Sequence, residues 1–110
     1  MPESMERGAL TEAVYYILLS LHTRMHGYAI MQNINKLSAG RVALGPGTLY
    51  GALNTLLEKY WIEDASNNTQ SRKKEYIITD KGKKVFVQEI ERLEELLVNG
   101  RTIIGKRGGQ

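Results

Sequence analysis

The feature that most constrains this chain is the place where its hydrophobic period changes. Up to Tyr60, apolar residues recur every three or four positions, the repeat of helices that bury one face. From Trp61 to Thr79 that repeat stops. Trp61-Ile62-Glu63-Asp64-Ala65 is a short strand-like run, and Ser66-Asn67-Asn68-Thr69-Gln70-Ser71 is pure turn chemistry. Arg72 to Thr79 then alternates and ends on the β-formers Tyr76, Ile77, Ile78 and Thr79. After Asp80 the helical repeat returns. One hairpin set between helices in 110 residues predicts a single, mainly α domain with a small β-hairpin and one modest core.

The helical stretches can be read separately. Leu10, Val14, Ile17, Leu18 and Leu21 predict a first helix from Ala9, with Ala13, Tyr15, Tyr16 and Leu19 making it apolar on further faces. A helix apolar nearly all round is buried on two sides, and in so short a chain the second side suits another subunit. After His26-Gly27, the spacing of Tyr28, Met31, Ile34 and Leu37 predicts a second helix with Tyr28 packing at its head; Ser38-Ala39-Gly40 stops it. Ala43-Leu44 suggests a small strand in the connection that follows. Pro46 suits the first turn of a third helix, where its missing N–H has no intrahelical partner to lose. Leu49, Leu53, Leu56 and Leu57 form that helix's buried stripe.

Thr79-Asp80 is an N-cap pair for a fourth helix. In it Phe86, Ile90, Leu93 and Leu97 follow i, i+4, i+7 and i+11, a stripe suited to helix–helix association. Asn99-Gly100 is expected to end it. The organisation expected is a flexible N-terminus at 1–8, a helix–hairpin unit at 9–82, an association helix at 80–99 and a flexible basic tail at 100–110.

Charge is local rather than global. The net charge is only +3. Between Ser66 and Lys84, however, six bases face two acids, a local balance of +4, whereas Val85 to Asn99 holds four glutamates and one arginine. One region is built to meet negative charge and the next is not. There is no cysteine, which removes disulfides, thiolate metal sites and cysteine nucleophiles. His22 and His26 are four apart but no acidic third ligand stands near them, so no metal and no cofactor are expected. A Gly-rich phosphate loop, a catalytic triad and paired carboxylates are all missing, so an enzyme is not expected. No signal peptide or membrane-length apolar run is visible, and the expected location is the cytoplasm, with no membrane partner.

Two helices joined by a short connection and followed by a β-hairpin describe a winged helix-turn-helix. Such a unit reads DNA if its third helix is narrow and polar outside and its wing carries cations. Here the outer face of the third helix offers Gly47, Thr48, Tyr50, Gly51 and Asn54, and the wing offers Arg72, Lys73 and Lys74; Lys36 lies near the turn. Leu10, Val14, Ile17 and Leu18 of the first helix and Phe86, Ile90, Leu93 and Leu97 of the last are the candidate dimerisation residues. The same order of elements also serves protein-interaction modules and small-ligand carriers without specific DNA binding.

The chain resembles the PadR-like transcriptional regulators over residues 9–97. The resemblance rests on His26-Gly27-Tyr28-Ala29-Ile30, on Pro46-Gly47-Thr48-Leu49-Tyr50-Gly51-Ala52-Leu53, on Leu56-Leu57-Glu58, and on Lys74-Glu75-Tyr76-Ile77-Ile78-Thr79-Asp80-Lys81-Gly82. It implies a homodimeric repressor bound to a palindromic operator in double-stranded DNA, released by a small molecule, aromatic or cationic, or by a stress signal. With one helix after the wing, the chain is similar to the branch with a short C-terminus, whose last helix packs on the partner's first. Two departures from the family pattern stand out. Tyr60-Trp61 occupies a helix-to-strand junction where the family usually has glycine, so the turn is made either without a left-handed residue or with Tyr60 or Trp61 in mild strain. Phe86 is the only aromatic of the last helix, so the resemblance does not carry over a planar-ligand sandwich at the dimer centre.

Overall fold

The computed structural model describes residues 8–66 and 73–108. Among them are four helices and three short strands: α1 Glu12–Ser20, β1 Met25–His26, α2 Gly27–Leu37, α3 Pro46–Glu58, β2 Ile62–Asp64, β3 Glu75–Ile78 and α4 Asp80–Gly108. The strands form one antiparallel sheet in the order β1-β3-β2. In the hairpin Ile62 pairs with Ile78, Glu63 with Ile77 and Asp64 with Tyr76. On the other edge Met25 pairs with Tyr76 and His26 with Glu75. Two residues are too few to show an alternating pattern, so β1 is invisible in the sequence. The strand expected at Ala43-Leu44 does not form; that stretch is irregular, with Val42 and Leu44 leaning on the core.

Each helix starts and stops for a local reason. Thr11 caps α1, its hydroxyl accepting the Val14 N–H at 3.1 Å. The start therefore lies after Ala9, because a good cap outcompetes the weaker periodicity before it. His26 caps α2, with Nδ1 accepting the Ala29 N–H at 3.4 Å. Gly45 precedes Pro46 at the head of α3 with no side-chain cap, a head built by proline instead.

The tails of α2 and α3 share one device. At the end of α3 the Trp61 N–H reaches back to the Leu56 carbonyl and the Tyr60 N–H to that of Leu57. At the end of α2 the Gly40 N–H reaches Asn35 and the Ala39 N–H reaches Lys36. These are paired closing bonds around a left-handed residue, a position glycine usually fills. Here it is Tyr60 (φ 61°) and Ala39 (φ 55°). Of the two turns open to the Tyr60-Trp61 junction, the one formed has a left-handed residue, and Tyr60 carries the strain. A left-handed L-residue costs about 1–2 kcal/mol, part of which glycine gives back as chain entropy in the unfolded state. Tyr60 is 72% exposed, so its ring contributes little burial. Tyr60→Gly is therefore expected to stabilise the fold by about 0.5–1 kcal/mol, raising Tm by about 3–6 °C for a domain of this size. Calorimetry checks this, and a lowered Tm would mean the ring contributes more than its exposure allows.

The core gathers Ile17, Leu18 and Leu21 from α1 and its end, Ile30 and Ile34 from α2, and Leu49, Leu53 and Leu56 from α3. Trp61, Ile62, Tyr76 and Ile78 close it from the sheet, and Val85 and Phe86 from the first turns of α4. Phe86 lies against Tyr15 at 4.8 Å between ring centroids and meets the His22 ring at 5.1 Å. Polar groups inside the core are matched: the Ser20 hydroxyl donates to the Tyr16 carbonyl and accepts from Asn33 Nδ2.

The last helix corrects the sequence reading most. It does not stop at Asn99-Gly100 but runs to Gly108, so the expected tail at 100–110 is helical over most of its length. Gly100 is not left-handed here. A glycine in helical conformation weakens a helix by about 1 kcal/mol relative to alanine, a cost and not a stop. The N-terminus of α4 is locked to the wing junction. The Thr79 N–H donates to the Trp61 carbonyl, the Thr79 hydroxyl donates to the Tyr60 carbonyl at 2.7 Å, and that hydroxyl in turn accepts the Gly82 N–H at 3.0 Å.

A second lock ties the segment leading into α1 to α4. Glu89 is 1% exposed. Its carboxylate accepts Arg92 Nε at 2.9 Å, Arg92 Nη2 at 2.6 Å and the Leu10 N–H at 3.2 Å. A buried carboxylate needs such partners, because desolvating it alone would cost several kcal/mol. In the sequence Glu89 reads as one of several surface glutamates.

Candidate nucleic-acid interface

The amphipathic logic of α3 fixes what it presents. Leu49, Leu53 and Leu56 are buried, so Gly47, Thr48, Tyr50, Gly51, Asn54 and Thr55 fall on the opposite face, and all six are exposed. This is the face the sequence singles out. It carries hydroxyl and amide groups and no full charge until Glu58. Among the described residues, no hydrogen bond to the protein occupies the Thr48 or Asn54 side chain, whereas the Thr55 hydroxyl donates to the Gly51 carbonyl at 3.2 Å.

Tyr50 has a structural task as well. A Cβ on Gly27 would lie 2.2 Å from the Tyr50 hydroxyl oxygen, so the ring fits against the head of α2 only because residue 27 is glycine. The two helices of the motif thus meet at Gly27 and Tyr50. The Tyr76 hydroxyl stands in the same field; burial, first, and the nearby Tyr50 hold its proton more tightly than usual. Tyr28, expected to pack, is instead 61% exposed at the first turn of α2, because the helix turns its neighbours Gly27 and Ile30 inward. Sequence reasoning missed it as a surface aromatic, since its i, i+3 spacing with Met31 mimics a buried stripe.

The wing is β2 and β3. Its base is closed by Ala65 N–H to the Glu75 carbonyl at 2.7 Å and by Glu75 N–H to the Ser66 hydroxyl at 2.8 Å. Asp64 turns inward onto Ser66, whose N–H and hydroxyl hold its carboxyl below the usual range, with Lys74 adding a smaller pull. Lys73 and Lys74 are exposed just before β3. Arg72 lies outside the described residues. Lys36 is exposed in the last turn of α2, beside a shallow groove with Met31, Asn35 and Leu44. Arg41, next to the same connection, is committed elsewhere: its guanidinium pairs with Glu12 through two hydrogen bonds, one at 2.9 Å, and holds that carboxyl low.

The candidate dimerisation residues divide sharply. Ile17 and Leu18 are at 0% exposure and Phe86 at 8%, all inside the core of one chain, so they leave a partner no surface to touch. Leu10, Val14 and Ile90 are half-buried against that core. Leu93 and Leu97 are exposed. The histidines are engaged as well, His22 Nδ1 with the Leu18 carbonyl at 2.9 Å and His26 as a cap.

Helix-turn-helix, polar third-helix face and basic wing are all in place, and residues 16–88 match the transcriptional regulator PadR-like family. The chain belongs to the PadR-like family. It is a transcriptional regulator with a winged-helix fold. Solved structures agree. A PadR-like transcription factor from Bacteroides fragilis is 27% identical, with 93% of this chain and 96% of that one covered and a TM-score of 0.69. A transcriptional regulator from Thermoplasma acidophilum is 26% identical, covering 86% and 90%, at a TM-score of 0.65. A complex structure of H. salinarum RosR, 21% identical and covering 96% and 95% at a TM-score of 0.69, shares the fold. No protein of curated function matches significantly. Among the described residues no helix is long and apolar enough to cross a membrane.

Proposed function

We propose that this PadR-like chain is a sequence-specific DNA-binding repressor, acting as a homodimer on a palindromic operator. The observation that carries the reading is the exposed face of α3, which offers Thr48, Tyr50 and Asn54 for base edges beside a wing with Lys73 and Lys74 for phosphates. The helix supplies selectivity with little charge, and the wing supplies charge with little selectivity. Homodimerisation through α4 is supported by its exposed Leu93 and Leu97. Two third helices related by a two-fold axis would read half-sites about 34 Å apart.

Release by a small aromatic or cationic effector has a supporting feature too. A cavity of about 390 Å³ between α1 and α4 is lined by Leu10, Tyr15, Tyr16, Glu89, Arg92 and Leu93. Tyrosine rings suit a planar aromatic, and the volume suits a small molecule. The Tyr15 phenol there has its proton held more tightly by burial, then by Tyr16 and Glu89, so it stays a neutral donor at physiological pH. An effector seated there would bear on the Glu89 lock, and so on the angle between the DNA-binding head and α4.

The test is a gel shift with DNA from upstream of the protein's own gene, against a scrambled duplex of equal length, with and without candidate aromatic ligands. Preference for the upstream duplex at physiological salt is expected. Thr48→Ala and Asn54→Ala each remove a base-reading side chain, and each is expected to lower that preference by about 1–3 kcal/mol with the salt slope unchanged. Equal binding to both duplexes would replace this reading with that of a protein-interaction module.

A further inference from the structure

The second half of α4 poses a problem that one chain cannot solve. At 1.5 Å per residue its 29 residues span about 43 Å, yet its packing on the core ends with Ile90. Beyond that point Leu93, Leu96, Leu97, Val98, Ile103 and Ile104 are all exposed, the isoleucines by 73% and 63%. Amid them stands Gly100. It is helical, so no turn requires glycine, and among the described residues nothing lies within 4 Å of where its Cβ would be, so no contact among them requires it either. The chain bears about 1 kcal/mol of helix cost at this position for no internal return.

Resting on the homodimer reading above, we propose that Gly100 is the crossing point of two antiparallel α4 helices, the position at which a second copy of this chain approaches backbone to backbone. The positions themselves carry the register. Leu96 and Ile104 lie four residues either side of Gly100, and Leu97 and Ile103 lie three either side. A two-fold axis through residue 100 therefore sets Leu96 opposite Ile104 of the second copy and Leu97 opposite its Ile103, apolar against apolar at these two pairs. Closed two-fold symmetry is the commonest arrangement of homo-oligomers. Interaxial distance depends on the side chains at the contact, and glycine at the crossing lets the helices come nearest. Charge order agrees. Glu91, Glu94 and Glu95 precede Gly100 in the sequence, and Arg101, Lys106 and Arg107 follow it. An antiparallel partner brings acids beside bases, whereas a parallel one would set like against like.

The absence of native cysteine makes the test clean. Single-cysteine variants Leu93→Cys, Leu97→Cys, Gly100→Cys and Ile104→Cys of the full chain are oxidised mildly, and covalent dimer is followed over time. A disulfide needs Cα atoms within about 7 Å. Only a residue at the axis meets its own copy at that range, since position 93 lies about 21 Å from itself across the crossing. Gly100→Cys is expected to cross-link at least tenfold faster than Leu93→Cys. A maximum at position 93, 97 or 104 would overturn the crossing point. Sedimentation equilibrium of Gly100→Leu supplies a second reading, with circular dichroism confirming that the fold is kept. A dimer at least tenfold weaker than wild type is expected. If Gly100 were merely a weak point in the helix, leucine would strengthen the helix and leave the dimer as tight or tighter. Wild-type protein that sediments as a monomer at all concentrations would overturn the dimer reading itself, an outcome distinct from a misplaced crossing.

Discussion

Replacing Lys73 and Lys74 of the wing with alanine is expected to weaken DNA binding about 30-fold at 0.15 M salt, and to weaken it equally for specific and scrambled duplexes. The magnitude follows from counterion release. Each phosphate contact contributes about 0.9 to the slope of log affinity against log salt. Losing two lowers the slope by about 1.8, and 0.15 M raised to that power gives the 30-fold. Both side chains are exposed, and neither belongs to the hydrophobic core. The measurement is a salt titration of binding by fluorescence anisotropy from about 0.05 to 0.2 M, the range over which such contacts dominate. An unchanged slope would remove the wing from the interface. A changed preference between duplexes with an unchanged slope would move base reading from α3 to the wing. The contrast with Thr48→Ala and Asn54→Ala is the useful part, because those variants should alter preference without altering slope.

How much of this was legible in the sequence depends on the range of the interactions involved. The buried stripe Leu49, Leu53, Leu56 and the exposed Thr48, Tyr50 and Asn54 follow from one helical period, so the face of α3 could be read directly. So could the hairpin, whose turn chemistry and β-formers are local. At Tyr60-Trp61 the missing glycine was visible, but one chain's sequence does not decide between a turn without a left-handed residue and the strained turn that forms. What escaped is tertiary. The strand Met25–His26 exists only because β3 has an edge to offer it. Glu89 sits among glutamates of similar spacing, and only the approach of Leu10 and Arg92 makes it a buried lock. Gly100 looked like a stop because glycine often is one, but a stop needs a left-handed residue and the closing bonds seen after α2 and α3. Amphipathicity misled in one further way: an apolar stripe shows which face is buried without showing in whose core. Ile17, Leu18 and Phe86 fill their own chain's core, and apart from Val87 the apolar surface left exposed on α4 lies beyond Ile90.

The largest effect on stability is expected from the smallest change, Gly82→Ala. In the first turn of α4 an added Cβ would lie 2.1 Å from the Trp61 carbonyl oxygen, 2.9 Å from the Trp61 carbonyl carbon and 2.8 Å from Ile78 Cγ1. Two of those three atoms are backbone and cannot rotate aside. The carbonyl is also the acceptor for the Thr79 N–H, so moving it breaks the bond that begins the lock between wing and helix. Overpacking of this kind costs about 1–3 kcal/mol, and the broken hydrogen bond about 1 more. Against it stands about 1 kcal/mol of better helix propensity. The net expectation is a loss of about 1–3 kcal/mol, or about 5–20 °C in Tm by calorimetry. Gly51→Ala provides the opposite sign in the same experiment. Nothing lies within 4 Å of its added Cβ, so propensity alone should act, and Tm should rise by about 4–8 °C. Were both variants stabilised, α4 would have to be able to slide off the Trp61 carbonyl at little cost. In that case the DNA-binding head would not be rigidly coupled to the helix proposed to pair two copies, and a fixed half-site spacing would lose its structural basis.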